Sequence, residues 1–126
     1  MIAVDTSSFI AYLQGEDAAD VLWIEEALSS HALVFPPVVL SEILSDFSLP
    51  AALIENIMRL PLMPIKPNFW YRAGILRSKI LHKKLKARLA DSLIAQFCID
   101  HQMPLITRDQ DFKHHVKYGE LVLFAG

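Results

Sequence analysis

One cysteine, Cys98, is all that the 126-residue chain contains, so no intrachain disulfide can staple it and a reducing cytoplasm is its expected compartment. Four glycines and seven prolines are too few for a low-complexity or collagen-like chain. Met1 to Ile10 holds no basic residue, so it does not read as a signal peptide. The longest apolar run, "ALVFPPVVL" at 32–40, is too short to span a bilayer and contains two prolines, so no membrane association is expected. A net charge of −2 gives no global attraction for polyanions. Metal-binding histidine spacing is missing as well: His114 and His115 are adjacent and point apart in regular structure, and His31, His82 and His101 read as surface or helix-end residues. Cys98 reads as a core residue, and "NFWY" at 68–71 as packing.

What the chain does have is apolar residues, 53% of the total, enough for one core and against disorder. One domain over 1–126 is expected, without a repeat or a linker. "IAV" at 2–4 reads as a buried strand and "TSSFIAYLQG" as a helix ended by Gly15. Helical spacing follows in "DAADVLWIEEALSS", then a strand at "ALVF", then helices at "VVLSEILSDF" and "PAALIENIMRL". "PLMPI" is an extended crossing piece. "NFWYRAGILRSKILHKK" is a long amphipathic helix, and "ARLADSLIAQFCIDHQ" is a helix with Leu89, Leu93, Ile94 and Phe97 toward the core. "PLITR" is a strand, "DQDFKHHVKYGE" a loop or short helix, and "LVLF" a final strand. Strands alternating with helices predict an α/β fold with a central, mainly parallel sheet covered on both faces. Ligands of such sheets bind beyond the carboxyl ends of the strands.

Carboxylates gather at those ends. Asp5 follows the first strand directly, Glu42 lies in the helix after the second, and Asp109 comes two residues after "LIT". Asp91 is in the first turn of its helix, on one face with Ile94, Ala95 and Cys98, so it points inward at the positive helix end. Each has a plainer reading. Asp5 could cap the next helix, Glu42 could be solvated, Asp91 could only complement the helix dipole, and Asp109 could start a turn with Gln110 and Asp111. Taken together they have one place to meet. Two carboxylates about 5 Å apart repel by roughly 3 kcal/mol at an effective dielectric of about 20, so such a group needs protons or a cation. An all-oxygen donor set suits Mg²⁺ or Mn²⁺ rather than Zn²⁺.

"VDTSSFIAYL" at 4–13, "SEIL" at 41–44, "LADSLIAQFC" at 89–98 and "LITRDQDF" at 105–112 resemble, in order and over essentially the whole chain, the four signature segments of the PIN-domain family. The resemblance is closest to the VapC-type toxins of bacterial toxin–antitoxin systems. It implies a three-layer α/β/α domain and a Mg²⁺- or Mn²⁺-dependent endoribonuclease that leaves a 5′-phosphate and a 3′-hydroxyl. The family's acidic quartet, catalytic and metal-binding, falls on Asp5, Glu42, Asp91 and Asp109. Asp109 is preferred because it directly follows "TR", with Asp111 open beside it or in its place. The hydroxyl near the first acid falls on Thr6 or Ser7, where many relatives have Asn in place of Ser7, and the one before the last acid on Thr107. The same resemblance implies a cognate antitoxin with a basic side chain for the acidic site, and a homodimer.

Three other readings compete. A receiver domain needs an acidic pair after its first strand, and Asp5 has no acidic neighbour. A haloacid-dehalogenase-type phosphotransferase needs a second Asp where Ser7 stands. An inactive PIN-like module that binds RNA or protein without cutting remains the alternative, and a complete quartet argues against it. Of the twelve Lys and Arg, seven lie between Arg72 and Arg88, with no acid among them. This stretch leads into the helix of Asp91, so Lys83, Lys84 and Lys86 are expected to track an RNA backbone, unless the run is only a solvated face.

Overall fold

A computed structural model describes all 126 residues. Chain order is β1 (Ile2–Val4), α1 (Thr6–Leu13), α2 (Ala19–Ser29), β2 (Leu33–Val34), α3 (Pro37–Leu44), α4 (Ala51–Met58), α5 (Phe69–His82), α6 (Leu89–Asp100), β3 (Leu105–Ile106), a 3₁₀ turn (Gln110–Phe112) and α7 (Lys113–Tyr118). The three strands form a parallel sheet in the order β2-β1-β3, within the three-layer α/β fold that the alternation predicts. Ile2 and Ala3 pair with Leu33 and Val34, while Ala3 and Val4 pair with Leu105 and Ile106. Parallel strands need long crossovers, and the helices between them supply these.

The sheet is apolar on both faces. Ala3, Val4, Leu33, Val34, Leu105 and Ile106 are all buried, and Phe9, Ile24, Phe35, Ile94, Phe97 and Phe112 close over them. Helix α2 packs against α1, β2 and β3, while α5 packs against α6 and α7. Gly15 takes φ 71° just after α1, a left-handed conformation that stops the helix cheaply only in glycine.

Three expectations change. "LVLF" forms no strand. Leu105 N donates to Val122 O and Phe124 N donates to Leu105 O, which gives a single parallel bridge between Leu105 and Leu123. Leu89 is exposed rather than in the core, because it opens α6 at the sheet's end, ahead of the turn that reaches the core. Of "NFWY", only Phe69 is buried. Trp70 stands edge-on against it with ring centroids 5.1 Å apart, and Trp70 and Tyr71 both remain exposed. No helix is long and apolar enough to cross a membrane.

Candidate active site

Asp5 stands where β1 ends and α1 begins, yet its side chain does not cap the helix. Its Oδ2 accepts instead from Ser7 Oγ and from Thr107 Oγ1, each at 2.9 Å. The second bond crosses from β1 to the end of β3. Thr107 Oγ1 in turn accepts from the backbone N–H of Asp109 at 3.0 Å. One hydroxyl therefore fixes two acids relative to each other. Burial is the main reason the Asp5 carboxyl lies above its ordinary range; the two hydroxyls oppose this and the charge of Asp109 adds to it.

Asp91 projects from the first turn of α6 and is almost fully buried. Burial lifts its carboxyl to about 6, against the pull of Arg88 and with the push of Asp109, Asp5 and Asp111. Its Oδ2 is buried and accepts no hydrogen bond. Carboxylate oxygens of Asp91, Asp109 and Asp111 lie within 4.8 Å of one another. Asp109 Oδ1 accepts from Asp111 N at 2.9 Å, the Asx turn that starts the 3₁₀ segment. That turn brings the second acid round to the same side as the first.

Glu42 is exposed on α3 and accepts from Thr6 Oγ1 at 2.7 Å, so it is tied to the residue next to Asp5. Thr6, Ser7 and Thr107, singled out as hydroxyls, thus serve as donors to Glu42 and Asp5. The basic stretch divides. Lys86 Nζ reaches Asp111 at 3.1 Å, whereas Lys83 lies over the ring of Tyr118 and Lys84 takes φ 64° in the turn after α5. Arg72 pairs with Asp100 near the far end of α6, away from the acids.

Asp111 joins the cluster, and its signal was its two-residue spacing from Asp109. Arg88 was visible only as one more basic residue, but its guanidinium contacts all three acids of the cluster, with Nη2 at 3.2 Å from Asp109 and 3.1 Å from Asp111, and Nε at 3.5 Å from Asp91. Two supports behind the site gave no sequence signal. Arg108 forks onto Asp20, and the wholly buried His115 places Nε2 3.0 Å from Ser92 Oγ, joining α7 to the turn that carries Asp91. Burial pulls the His115 imidazole down to about 4, so the ring is neutral there. Cys98 is buried, and burial pushes its thiol far above the usual range, as fits a core residue.

An open parallel sheet with acids gathered beyond the carboxyl ends of its strands places the chain among the α/β proteins whose ligands bind at that end. Within that class, the PIN domain family model matches residues 2–117, and the chain belongs to the PIN family. No curated protein matches the chain. Among solved structures it is similar to VapBC2 from Rickettsia felis bound to a DNA fragment from their promoter. The TM-score is 0.70 at 20% identity, covering 98% of this chain and 98% of that one. FitAB bound to IR36 DNA fragment is similar at a TM-score of 0.73 and 18% identity, covering 98% of this chain and 94% of the other. At these identities the likeness is one of fold.

Proposed function

We propose that the chain, as one PIN unit over 1–126, is a divalent-metal-dependent endoribonuclease and the toxin of a toxin–antitoxin pair. PIN domains are generally nucleases, and the two similar structures are toxin–antitoxin complexes. The single observation that carries the nuclease reading is the buried Oδ2 of Asp91, which accepts no hydrogen bond and meets only the Arg88 guanidinium at 3.5 Å, beside the carboxylates of Asp109 and Asp111. An orphaned anionic oxygen in an all-oxygen cluster fits Mg²⁺ or Mn²⁺. Asp91, Asp109 and Asp111 would hold the ion, with Asp5 and Glu42 completing the acidic wall. The ion would polarise a phosphate oxygen and lower the pKa of water. Asp5, held by Ser7 and Thr107, would help orient that water. Val4, Ile94 and Ile106, close in sequence to Asp5, Asp91 and Thr107, are buried in the core.

Chelation tests the reading directly. Purified protein should cleave single-stranded RNA with Mg²⁺ or Mn²⁺, and excess EDTA should remove at least about 10²-fold of the rate, restored by either ion. RNA that is bound but never cut, with any divalent ion supplied, would instead favour the inactive binding module.

An acidic mouth repels a polyanion, so RNA binding needs the basic segment. If Lys83, Lys84 and Lys86 each meet a phosphate, log K should fall with log[salt] at a slope of roughly −2 for a single strand. The Lys83→Gln, Lys84→Gln, Lys86→Gln triple variant should flatten that slope. An unchanged slope would leave the run as solvated surface.

An antitoxin would sit on α1 and α3. A cleft of about 170 Å³ beside the site is lined by Ile10, Leu13, Ile43 and Leu49, with Glu42 and Asp46 at its edge. An apolar segment bearing one basic residue complements it. The proposed homodimer would use another face, for which Tyr71 and Ile75, one turn apart on α5, are both exposed.

A further inference from the structure

We infer that Arg88 is a two-station side chain. Without metal it rests on the cluster carboxylates, and once a divalent cation enters it moves to a phosphate of the RNA. The inference rests on the metal-site reading above and names a residue that positions its substrate.

Arg88 precedes α6 with extended backbone, φ −68° and ψ 148°, which turns its side chain back across the mouth. Its guanidinium meets Asp109 and Asp111 through one nitrogen and approaches Asp91 through another. None of these contacts is a parallel, two-nitrogen fork onto one carboxylate, which is the geometry of a settled Arg–carboxylate pair. Arg72 and Arg108 both make that fork, onto Asp100 and Asp20. The Arg88 side chain is also 55% exposed, so it is only partly held by packing. Most telling, Asp91 Oδ2 stays without a hydrogen bond although Arg88 Nε is 3.5 Å away. The guanidinium balances charge for the cluster but does not satisfy it.

A divalent ion on the same oxygens would supply more charge at shorter range and displace the guanidinium. Arg88 would then be a free, always-charged group at the rim, one side chain's length from the metal. An always-charged, planar group at that rim suits a phosphate of bound RNA. Lys86, on Asp111, holds the neighbouring end of the same segment.

Opposite signs on two measurements test this. Mn²⁺ affinity is measured by electron paramagnetic resonance at pH 7.5 on wild type, Arg88→Gln, Asp91→Asn and Lys66→Gln, the last an exposed charge-matched control outside the site. Binding of a labelled single-stranded RNA is measured at saturating Mn²⁺ in an Asp5→Asn background that retains the three-acid cluster. Arg88→Gln should bind Mn²⁺ about five- to tenfold more tightly, as expected for removing three partly exposed ion pairs, and RNA about fivefold more weakly. Lys66→Gln should bind Mn²⁺ as wild type does. A merely structural role would weaken both or neither. Unchanged or weaker Mn²⁺ binding in Arg88→Gln, with binding lost in Asp91→Asn, overturns the inference and leaves the metal site standing. Equal tightening in Lys66→Gln reduces the effect to long-range charge and also overturns it. Tighter Mn²⁺ with unchanged RNA binding removes the phosphate station. No Mn²⁺ binding by wild type or Arg88→Gln removes the metal site, and the inference with it.

Discussion

Asp91→Asn should abolish RNA cleavage and, in the metal-free protein, raise stability. The Asp91 carboxyl stands at about 6 in the fold, above its ordinary 3.8, because burial and three neighbouring acids disfavour its charge. Between those values the native chain holds a proton that the unfolded chain has lost. Stability therefore falls as pH rises through the window from about 4 to 6, and the cost persists at neutral pH. Two units correspond to roughly 3 kcal/mol, reduced to about 1–2 kcal/mol by water at the open mouth. For a chain of this length that is about 3–8 °C in Tm. Melting curves in EDTA at pH 5 and 7.5 should converge for Asp91→Asn relative to wild type. The raised carboxyl of Asp5 acts in the same direction and keeps some pH dependence in the variant. Added Mn²⁺ should stabilise wild type and leave Asp91→Asn unmoved. Cleavage should drop by at least about 10²–10³-fold. A variant that melts below wild type at pH 7.5 in EDTA, or that still cuts, would contradict the account.

The second large effect belongs to a residue outside the cluster. Arg108 sits between Thr107 and Asp109, and its Nε and Nη2 reach Asp20 at 2.8 and 3.0 Å while Nη1 reaches both oxygens of Glu16 at 3.2 Å. Asp20 is buried and also accepts from Ser8 Oγ at 2.8 Å and from Val21 N at 3.0 Å. Arg108→Ala strands that charge, and a loss of about 2–3 kcal/mol is expected for a pair with one partner partly exposed. It also frees the segment that carries Thr107 and Asp109, so activity should fall with stability. Chemical denaturation reads the first and an RNA-cleavage assay the second. Arg108, ahead of its other neighbours, holds the Asp20 carboxyl below its ordinary range. That share of stability is present above about pH 4 and is lost as pH falls further. Arg108→Ala should flatten this acid limb, and Asp20→Ala combined with it should cost less than the sum of the two single changes. Additive losses would mean that the pair is not coupled.

The order of strands and helices was legible because hydrophobic periodicity and the cap and breaker residues agreed with each other from "IAV" to "PLITR". Asp91 and Asp109 meet as their places in the chain suggest, with Asp111 rather than Asp5 or Glu42 as the third acid within 4.8 Å. Finer placement was not legible. Asp109 and Asp111 are equally acidic in a row of letters, and only the Asx turn bends both to one side. Arg88 looked like its neighbours Lys83 and Lys84, because a side chain's reach depends on the ψ of the residue that bears it. "LVLF" has strand composition, yet it meets the two-residue β3 at a single bridge, Leu105 to Leu123. "NFWY" has core composition, but a helix face decides which of three consecutive aromatics turns inward. His115 was unreadable for the opposite reason. A buried neutral histidine and a surface one are the same letter, and only Ser92 across the gap tells them apart.

The middle strand of the sheet has a consequence for how the protein is made. Val4 and Asp5 can be fixed only when Ile106 and Thr107 arrive, about a hundred residues later in synthesis. Contacts so distant along the chain form late and slowly. A growing chain therefore carries Asp5 without Thr107 and Asp109 until about a hundred further residues have been made. The acidic centre closes only when the segment from Leu105 to Asp111 docks on β1, so a chain that stops short of it lacks the Thr107 donor to Asp5 as well as Asp109 and Asp111 themselves.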